Sequence, residues 1–277
     1  MVESRQGPVV TSDREPSVWR RVRDLVPIVL IAIAFVALWE LLIRVVPDSI
    51  WPRYLFPGPA QVATSLVSLW TGGLLLRAVV ATLARLGVGF LISLVLGAIL
   101  AFLMVHFHTF GKGIQPYVLG LQTFPSIAWV PLALIWFGFS EAALLFVTIV
   151  GSLFAVTVSF ADALRTVPPV YLKAARNMGS DGMDLILRVT VPAALPHLIS
   201  AAKIGWSFAW RSLIGAEVIF ATVGLGFLVN QGRDNLNLPQ VMGMMVVILV
   251  IGVLVDRGVF SRTQEWASRR RGLLPSG

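Results

Sequence analysis

The sequence predicts an all-α integral membrane protein with six transmembrane helices. Of its 277 residues, 57% are hydrophobic and only 13% are charged, and the mean hydropathy is +0.83. Soluble domains are about 45–50% apolar and about 25% charged, so a soluble fold of this length could not bury so much apolar surface. Lipid must therefore solvate much of the chain.

The order of segments predicts one membrane domain between two tails. Residues 1–18 are polar without apolar periodicity and are expected to form a flexible tail. They lack the ordered parts of a secretory signal, so the first apolar run is predicted to be a retained helix. The transmembrane domain is expected over residues 19–260, and a basic tail follows over residues 261–277.

Six segments are apolar enough for membrane-crossing helices, which need about 20 residues. They lie at residues 26–46, 79–105, 114–137, 141–163, 197–220 and 239–260. The third segment contains Pro116, Pro125 and Pro131. Proline removes a backbone donor and clashes with the preceding turn, so we expect this segment to be kinked or broken.

Two segments between the predicted spans each allow two structural interpretations. In residues 49–77, apolar residues recur at helical spacing: Val62, Leu66, Leu69 and Trp70. A short helix packed on its own protein is favoured there over a separate membrane anchor. Residues 222–239 are rich in glycine and asparagine, and they can be a re-entrant or gating segment or, equally, an ordinary loop.

The positions of the basic residues predict the orientation. Arginine and lysine concentrate in the N-terminal tail, in the connection between the fourth and fifth spans, and in the C-terminal tail. Six spans place all three on one side, which the positive-inside rule assigns to the cytoplasm. Both termini are therefore expected to be cytoplasmic. The net charge of +8 reflects this topology, and we expect no nucleic acid partner.

A polar segment interrupts the apolar sequence on the cytoplasmic side: YLKAARNMGSDGMDLILRVTVPAALP, residues 171–196. Gly179 can adopt the left-handed conformation that ends a helix, and Ser180 or Asp181 can cap a second helix. Residues 170–188 are thus predicted to form a helix–turn–helix knuckle. Composition alone leaves a docking surface and an ordinary surface loop equally open.

This segment resembles the cytoplasmic signature of ABC importer permeases, which is Glu-Ala-Ala, three residues, Gly, nine residues and Ile-x-Leu-Pro. The chain has KAA, Gly179 and VTVP at the same spacing, with Lys173 in place of the acid and Val191 in place of the leucine. In that family a coupling helix here inserts into a groove on the ATPase subunit. The resemblance therefore implies a coupling segment at residues 164–196 with these ATPase-coupling residues: Lys173, Ala174, Ala175, Met178, Gly179 and Pro192.

The resemblance extends from about Leu25 to the C-terminus, through LFPGPAQV, TLARLGVGF, QTFPSIAWVPLALIWFG, WRSLIGAEVI and GLGFLV. These stretches are similar to the branch that imports sulfonate, nitrate and taurine across the bacterial cytoplasmic (inner) membrane. The resemblance implies a methionine-importer-like type I core of five helices plus one N-terminal helix. It also implies a homodimer in membrane lipid, with two ABC ATPase subunits and an extracytoplasmic substrate-binding protein.

By this resemblance the chain is expected to be the permease of an ATP-driven importer of a small anion, first of all an aliphatic sulfonate. Nitrate, taurine and a vitamin precursor are alternatives within the class. The sequence has no G-x-x-x-x-G-K-[ST] motif, so ATP and Mg are expected on the partner ATPase. The chain itself is predicted to be neither an enzyme nor a cofactor-binding protein. An ion-coupled secondary carrier, the alternative of another class, would be expected to show an internal repeat, and none is clear.

Polar or irregular positions inside the predicted spans are candidates for the substrate pathway: Arg85, Pro125, Ser126, Trp129, Arg211 and Glu217. Arg85 or Arg211 can lend positive potential to an anion pathway, whereas Arg85 and Glu217 can instead form a buried pair. The structural role is favoured for Glu217. For Arg85 and Arg211, both the pathway role and the structural role remain open. Carbonyls freed at Pro125, together with Ser126, can line the pathway. The tryptophan can shape the cavity or pack between helices, and packing is favoured.

Two further patterns are interpreted structurally. His106 and His108 form an H-x-H pair with no third ligand in view, so no metal site is expected. Gly87, Gly89 and Gly97 recur along the second predicted span, where they are expected to allow close helix packing.

Overall fold

The computed structural model describes residues 18–47, 52, 55–261 and 263, and these residues contain helices but no strand. The helices are α1 (Val18–Val45), α2 (Pro59–Thr71), α3 (Leu74–His106), α4 (His108–Thr123), α5 (Val130–Phe137), α6 (Glu141–Arg165), α7 (Pro169–Asn177), α8 (Gly182–Leu185), α9 (Val191–Phe220), α10 (Leu225–Asp234) and α11 (Leu238–Val255). The predicted tails, residues 1–18 and 261–277, lie almost wholly outside the described residues.

Four described stretches are long and apolar enough to cross a membrane: Leu74–His106, Glu141–Arg165, Gly182–Asp234 and Leu238–Phe260. A fifth crossing is obtained if α4 and α5 together make one span. These five agree with the second to sixth predicted spans. Helix α1 covers most of the first predicted span, at residues 26–46, but it is not among the five, so the count of six stays a prediction.

Helices α4 and α5 meet at a bend of 97° instead of forming one straight helix. After α4 the chain is extended at Phe124 and Pro125, and a short 3-10 turn over Ser126–Trp129 leads into α5. The predicted break is therefore confirmed, and it occurs at Pro125. Pro116 is accommodated inside α4, and Pro131 lies in the first turn of α5, where a missing N–H breaks no helical bond.

Helix α6 lies between α3 and α9 at the centre of the bundle. Glycines let these three helices approach closely, because a Cβ atom on Gly97 of α3 would stand 2.6 Å from Cγ1 of Val156 on α6. A Cβ atom on Gly205 of α9 would overlap the same valine from the other side. Gly89 also faces α6 at close range. The packing role expected for Gly89 and Gly97 is confirmed, whereas Gly87 is exposed and has no such contact.

Two short helices complete the bundle. Helix α2 buries Val62 and Leu69 and packs on α11 and α3, which confirms the favoured interpretation of a helix packed on its own protein. Residues 222–239, predicted to be re-entrant or a loop, are mostly the helix α10. This segment folds as a helix because Leu225 and Leu228 on its inner face are buried in a cluster with side chains of α2, α3 and α11.

Candidate functional site

The knuckle folds as predicted, as two short helices around a glycine turn. Helix α7 ends in a Schellman motif, in which the Ser180 N–H donates to the Ala175 carbonyl (3.0 Å) and the Gly179 N–H donates to the Arg176 carbonyl (2.9 Å). Gly179 has a φ of +87°, in the left-handed region that favours glycine. Asp181 occupies the N-cap position of α8, although its side chain makes no capping hydrogen bond.

The knuckle is continuous with the next membrane-crossing helix. Helix α8 passes through a π-helical turn, Ile186–Thr190, directly into α9. Pro192 lies in the first turn of α9. Single π-helical turns are frequent at functional sites. Because no extended residue separates the knuckle from α9, a force applied to the knuckle acts directly on this helix.

The knuckle exposes apolar side chains on a polar segment. Met178 is 82% exposed, and Tyr171, Met183 and Leu187 are each at least 54% exposed. The sequence analysis did not identify Met183 and Leu187 as exposed. Their spacing of four residues places them on one face of a helix, opposite the buried Leu185 between them. Exposed apolar side chains grouped on one segment are typical of a protein contact site.

The predicted coupling residues differ in their exposure. Lys173, Ala174, Met178 and Gly179 are exposed, and Pro192 is half-buried. Ala175 is buried inside the knuckle, where its carbonyl accepts the bond that closes the glycine turn. A partner can therefore touch four of these six residues without any rearrangement of the knuckle.

A network of charged side chains joins α3, α6 and α9 at the end of the bundle opposite the knuckle. The Arg85 guanidinium forms an ion pair with Glu217 (2.9 Å) and donates two hydrogen bonds to Glu141 (2.5 and 2.6 Å). It also donates to the Val223 carbonyl. The Glu217 side chain is fully buried, whereas 63% of the Glu141 side chain is exposed. Arg85 and Glu217 thus form the buried pair considered as one alternative.

Backbone and hydroxyl donors complete the surroundings of Glu217. The Thr82 hydroxyl lies 2.8 and 3.0 Å from the two carboxylate oxygens, and the Gly226 N–H donates to one of them (3.1 Å). The Leu225 N–H in turn donates to the Thr82 hydroxyl (2.9 Å). The carboxylate therefore lies against the N-terminal end of α10, where the helix dipole favours a negative charge. A Cβ atom on Gly224 would stand 2.5 Å from this carboxyl group, so only glycine fits there.

Arg211 lies on α9 but outside this network. Its side chain is exposed, its Nε donates to the Ser207 carbonyl (3.2 Å), and its guanidinium lies 4.6 Å from the centre of the Phe208 ring. It forms no ion pair with a carboxylate of the described residues. A charge on a membrane-crossing helix is costly in lipid, so this side chain requires water, another protein or an anion beside it.

The break between α4 and α5 lies beside α9. A Cβ atom on Gly151 of α6 would stand 2.9 Å from Cβ of Ser126 and 2.8 Å from Cβ of Ser212, so the two serines flank the same glycine. Pro125 is exposed, whereas Trp129 packs against the central core cluster. The structure thus brings Ser126 next to the α9 segment that carries Arg211, and it holds the other two charged candidates in the buried network.

Metal ligands do not come together in the part of the chain that the structure describes. Within residues 18–47, 52, 55–261 and 263, no group of three or more His, Asp or Glu residues could hold a metal ion.

The chain is similar to several known membrane proteins. The family model of binding-protein-dependent transport system inner membrane components matches residues 93–264. A probable ABC transporter permease protein of Brucella abortus is 30% identical over 216 residues, covering 77% of this chain and 86% of that protein. The formylaminopyrimidine transport permease protein of Halalkalibacterium halodurans is 28% identical over 217 residues, covering 78% and 85%. The nitrate import permease protein of Leptolyngbya laminosa is 24% identical over 249 residues, covering 86% of each chain.

A solved structure has the same fold. One chain of an inward-facing methionine ABC transporter matches 70% of this chain over 96% of its own length, with a TM-score of 0.64 and 22% sequence identity. The methionine-importer-like helical core expected from the sequence is therefore confirmed.

Proposed function

The chain belongs to the family of binding-protein-dependent transport system inner membrane components, as the permease subunit of an ABC importer, and we propose that it carries a small anion. The subunit is not an enzyme, because ATP hydrolysis belongs to a separate ATPase subunit. Family membership also implies a binding protein that delivers the substrate, and it removes the ion-coupled secondary carrier from consideration. Among anions we place an aliphatic sulfonate first, because the stretches quoted above resemble sulfonate permeases.

Arg211 is the observation that carries the proposal of an anion. Its guanidinium is exposed on a membrane-crossing helix and has no carboxylate partner among the residues described. A positive charge between low-dielectric walls focuses the field and raises the local concentration of anions. The hydroxyl of Ser126, beside the same helix, adds a hydrogen-bond donor without adding a second charge. One unpaired cation attracts an anion without holding it as tightly as a cage of cations would.

The exposure of Arg211 also supports a homodimer. Lipid cannot cover this side chain cheaply, so we propose that a second copy of the chain lies opposite this face of α9. A two-fold axis would then place an Arg211 on each side of one shared, water-filled pathway. Each copy would present its own knuckle to one ATPase, with both termini on the same, cytoplasmic side of the inner membrane.

We propose that the knuckle is the ATPase-coupling element. Its support is the exposed Met178, the tight turn at Gly179, and the continuous helical path from α8 into α9. Movement of the ATPase would shift the knuckle and, through α9, the surroundings of Arg211. Lys173 stands where the family pattern has an acid, so any ion pair at this position requires an acidic residue on the ATPase.

The rival substrate is a vitamin precursor. The relatives differ in the substrates that their names give, because one imports nitrate and another imports formylaminopyrimidine. The second substrate is not a small oxyanion, and an unpaired arginine in its pathway would serve no purpose in attracting it. The two substrates therefore give opposite expectations for Arg211.

Uptake into proteoliposomes distinguishes these substrates. The chain and its ATPase would be reconstituted with ATP inside and the loaded binding protein outside, using labelled alkanesulfonate, taurine, nitrate or formylaminopyrimidine. We expect uptake of one of the anions, and we expect Arg211→Gln to lower its initial rate by about tenfold, since the focusing charge is lost. Arg211→Lys keeps the charge and should retain most of the rate.

Two results would count against this account. Uptake of formylaminopyrimidine with none of the anions would show that the substrate is not an anion. Uptake of an anion at the same rate by the wild type and by Arg211→Gln would leave the substrate class standing and remove Arg211 from the pathway.

A further inference from the structure

A cavity lies between the knuckle and the ends of two membrane-crossing helices. Its volume is about 520 Å³, and its walls come from the last turns of α3 and α6, from α7 and α8, and from the π-helical turn that follows. We call it the knuckle cavity. Sites for small ligands have volumes of about 300–1,000 Å³, so this cavity is large enough for one. The proposed transport pathway does not use it.

The polar lining of the knuckle cavity is mainly basic. Arg165 and Arg176 line it together with His106, Thr190 and Asp181. The Arg176 side chain makes no ion pair or hydrogen bond within the described part of the chain. Arg165 has only a long ion pair, 3.7 Å, with Asp162 on its own helix. Two arginines therefore face one carboxylate in the lining, and the cavity is suited to an anion.

The rest of the lining is apolar. Phe102 and Val105 come from the last turns of α3, Leu164 from the last turn of α6, and Leu172 and Leu185 from the knuckle. Helices α3 and α6 are both long and apolar enough to cross a membrane, and both end at this cavity. We therefore place the cavity at the membrane surface, beside the phospholipid head groups. A ligand that fits both walls has an anionic head and an apolar tail.

We propose that the knuckle cavity binds the phosphate head group of an anionic phospholipid. The guanidinium groups of Arg165 and Arg176 hold the phosphate by charge-assisted hydrogen bonds, and the His106 ring is a further donor. The first carbons of the acyl chains lie along Phe102 and Val105. A free phosphate would satisfy the arginines but would leave the apolar wall against water, and for this reason the lipid is the better occupant.

The proposed lipid site is separate from the surface proposed to dock the ATPase. Met178 and Lys173 do not line the cavity. Arg176, however, belongs to α7, whereas Arg165 belongs to the end of α6, so one phosphate between them ties the knuckle to the membrane bundle. A bound lipid would thereby hold the knuckle in place for docking, and anionic lipid would favour the coupled complex.

Lipid retention tests this inference directly. The full-length chain, purified in mild detergent, would be incubated with equal amounts of phosphatidylglycerol and phosphatidylcholine, and the retained lipid would be counted by native mass spectrometry. We expect the wild type to prefer phosphatidylglycerol by roughly tenfold or more, since basic residues near a membrane surface attract anionic lipid. The double variant Arg165→Gln/Arg176→Gln should lose this preference.

Matched variants distinguish lipid binding in the cavity from a general attraction of lipid to surface charge. Arg188→Gln removes one charge from the same knuckle but outside the cavity, so it should keep the preference, whereas Arg176→Gln alone should weaken it. Arg165→Lys/Arg176→Lys retains both charges and should keep most of the preference, which links the loss in the double glutamine variant to the lost charge. Equal losses in Arg188→Gln and Arg176→Gln would overturn the proposal.

A soluble phosphate is the competing occupant. Glycerol phosphate at millimolar concentration is expected to leave the bound phosphatidylglycerol in place, because it lacks the apolar tail that the wall binds. Displacement of the lipid by glycerol phosphate, or retention of glycerol phosphate by chains free of lipid, would show a soluble-anion site and overturn the proposal of a lipid.

Discussion

Met178→Asp is expected to prevent stable association with the ATPase subunit while leaving the permease folded. The wild-type side chain is 82% exposed at the end of α7, so the change removes little packing inside the chain. In a coupling groove it would replace an apolar anchor with a charge that must lose its water. Residues of this kind contribute about 2 kcal/mol or more to an interface, which corresponds to an affinity loss of roughly 30-fold.

The measurement is co-purification of a tagged ATPase with the permease from detergent-solubilised membranes. Leu236→Asp is the matched control, because this leucine is 86% exposed and follows α10, at the end of the bundle opposite the knuckle. Its positive φ of +53° also suits aspartate at least as well as leucine. The control should recover the ATPase at the wild-type level. Normal recovery with Met178→Asp would show that the ATPase does not bind through this part of the knuckle.

Arg85→Met is expected to destabilise the fold strongly. The change leaves the fully buried carboxylate of Glu217 with hydrogen-bond donors but no counter-charge. Breaking a buried ion pair from one side costs about 3–5 kcal/mol, because the remaining charge stays out of water. Helices α3 and α9 and the start of α10 all meet at this carboxylate, so the loss should lower the temperature of cooperative unfolding in detergent.

Two variants identify the cause of this loss. Glu141→Gln weakens the exposed arm of the network, and it should cost about 1 kcal/mol or less because water screens that pair. Arg85→Met combined with Glu217→Gln removes both buried charges and should recover part of the stability lost in the single variant. Unfolding would be followed by tryptophan fluorescence. If the double variant is no more stable than Arg85→Met, the buried charge is not the cause.

Local signals allowed the sequence to predict the knuckle and the broken segment. The left-handed turn was found at Gly179 as expected, and the break predicted within the third segment was found at Pro125. Both features depend on residues close to one another in the chain. Short-range stereochemistry is sufficient for such features.

The ionic network could be predicted only in part, because its members are far apart in the sequence. Arg85 and Glu217 are 132 residues apart, and they could be proposed as partners because few charges occur inside the spans. Thr82 and Glu141 gave no such signal, since a threonine is common in a span and a glutamate is common at the start of a helix. Only the fold brings Thr82 to the carboxylate of Glu217 and Glu141 to the guanidinium of Arg85.

The apolar face of the knuckle shows another limit of the sequence. Leu185 and Met183 are similar in hydrophobicity, but Leu185 is buried and Met183 is exposed. Their different positions depend on how α8 continues through the π-helical turn into α9, and that turn has no signature in the sequence. Helix α10 was missed for a related reason, because its glycine-rich start resembles a loop until Glu217 and Thr82 bind its N–H groups.

The most direct test of ATPase coupling through the knuckle is a site-specific cross-link. The chain contains no cysteine, so Met178→Cys provides a single thiol in the middle of the knuckle, and Leu236→Cys provides one at the opposite end. A short thiol-to-amine cross-linker would be applied to each variant in membranes that contain the ATPase. We predict a permease–ATPase product from position 178 and none from position 236. Equal products from both positions, or none from position 178, would contradict docking of the ATPase at the knuckle.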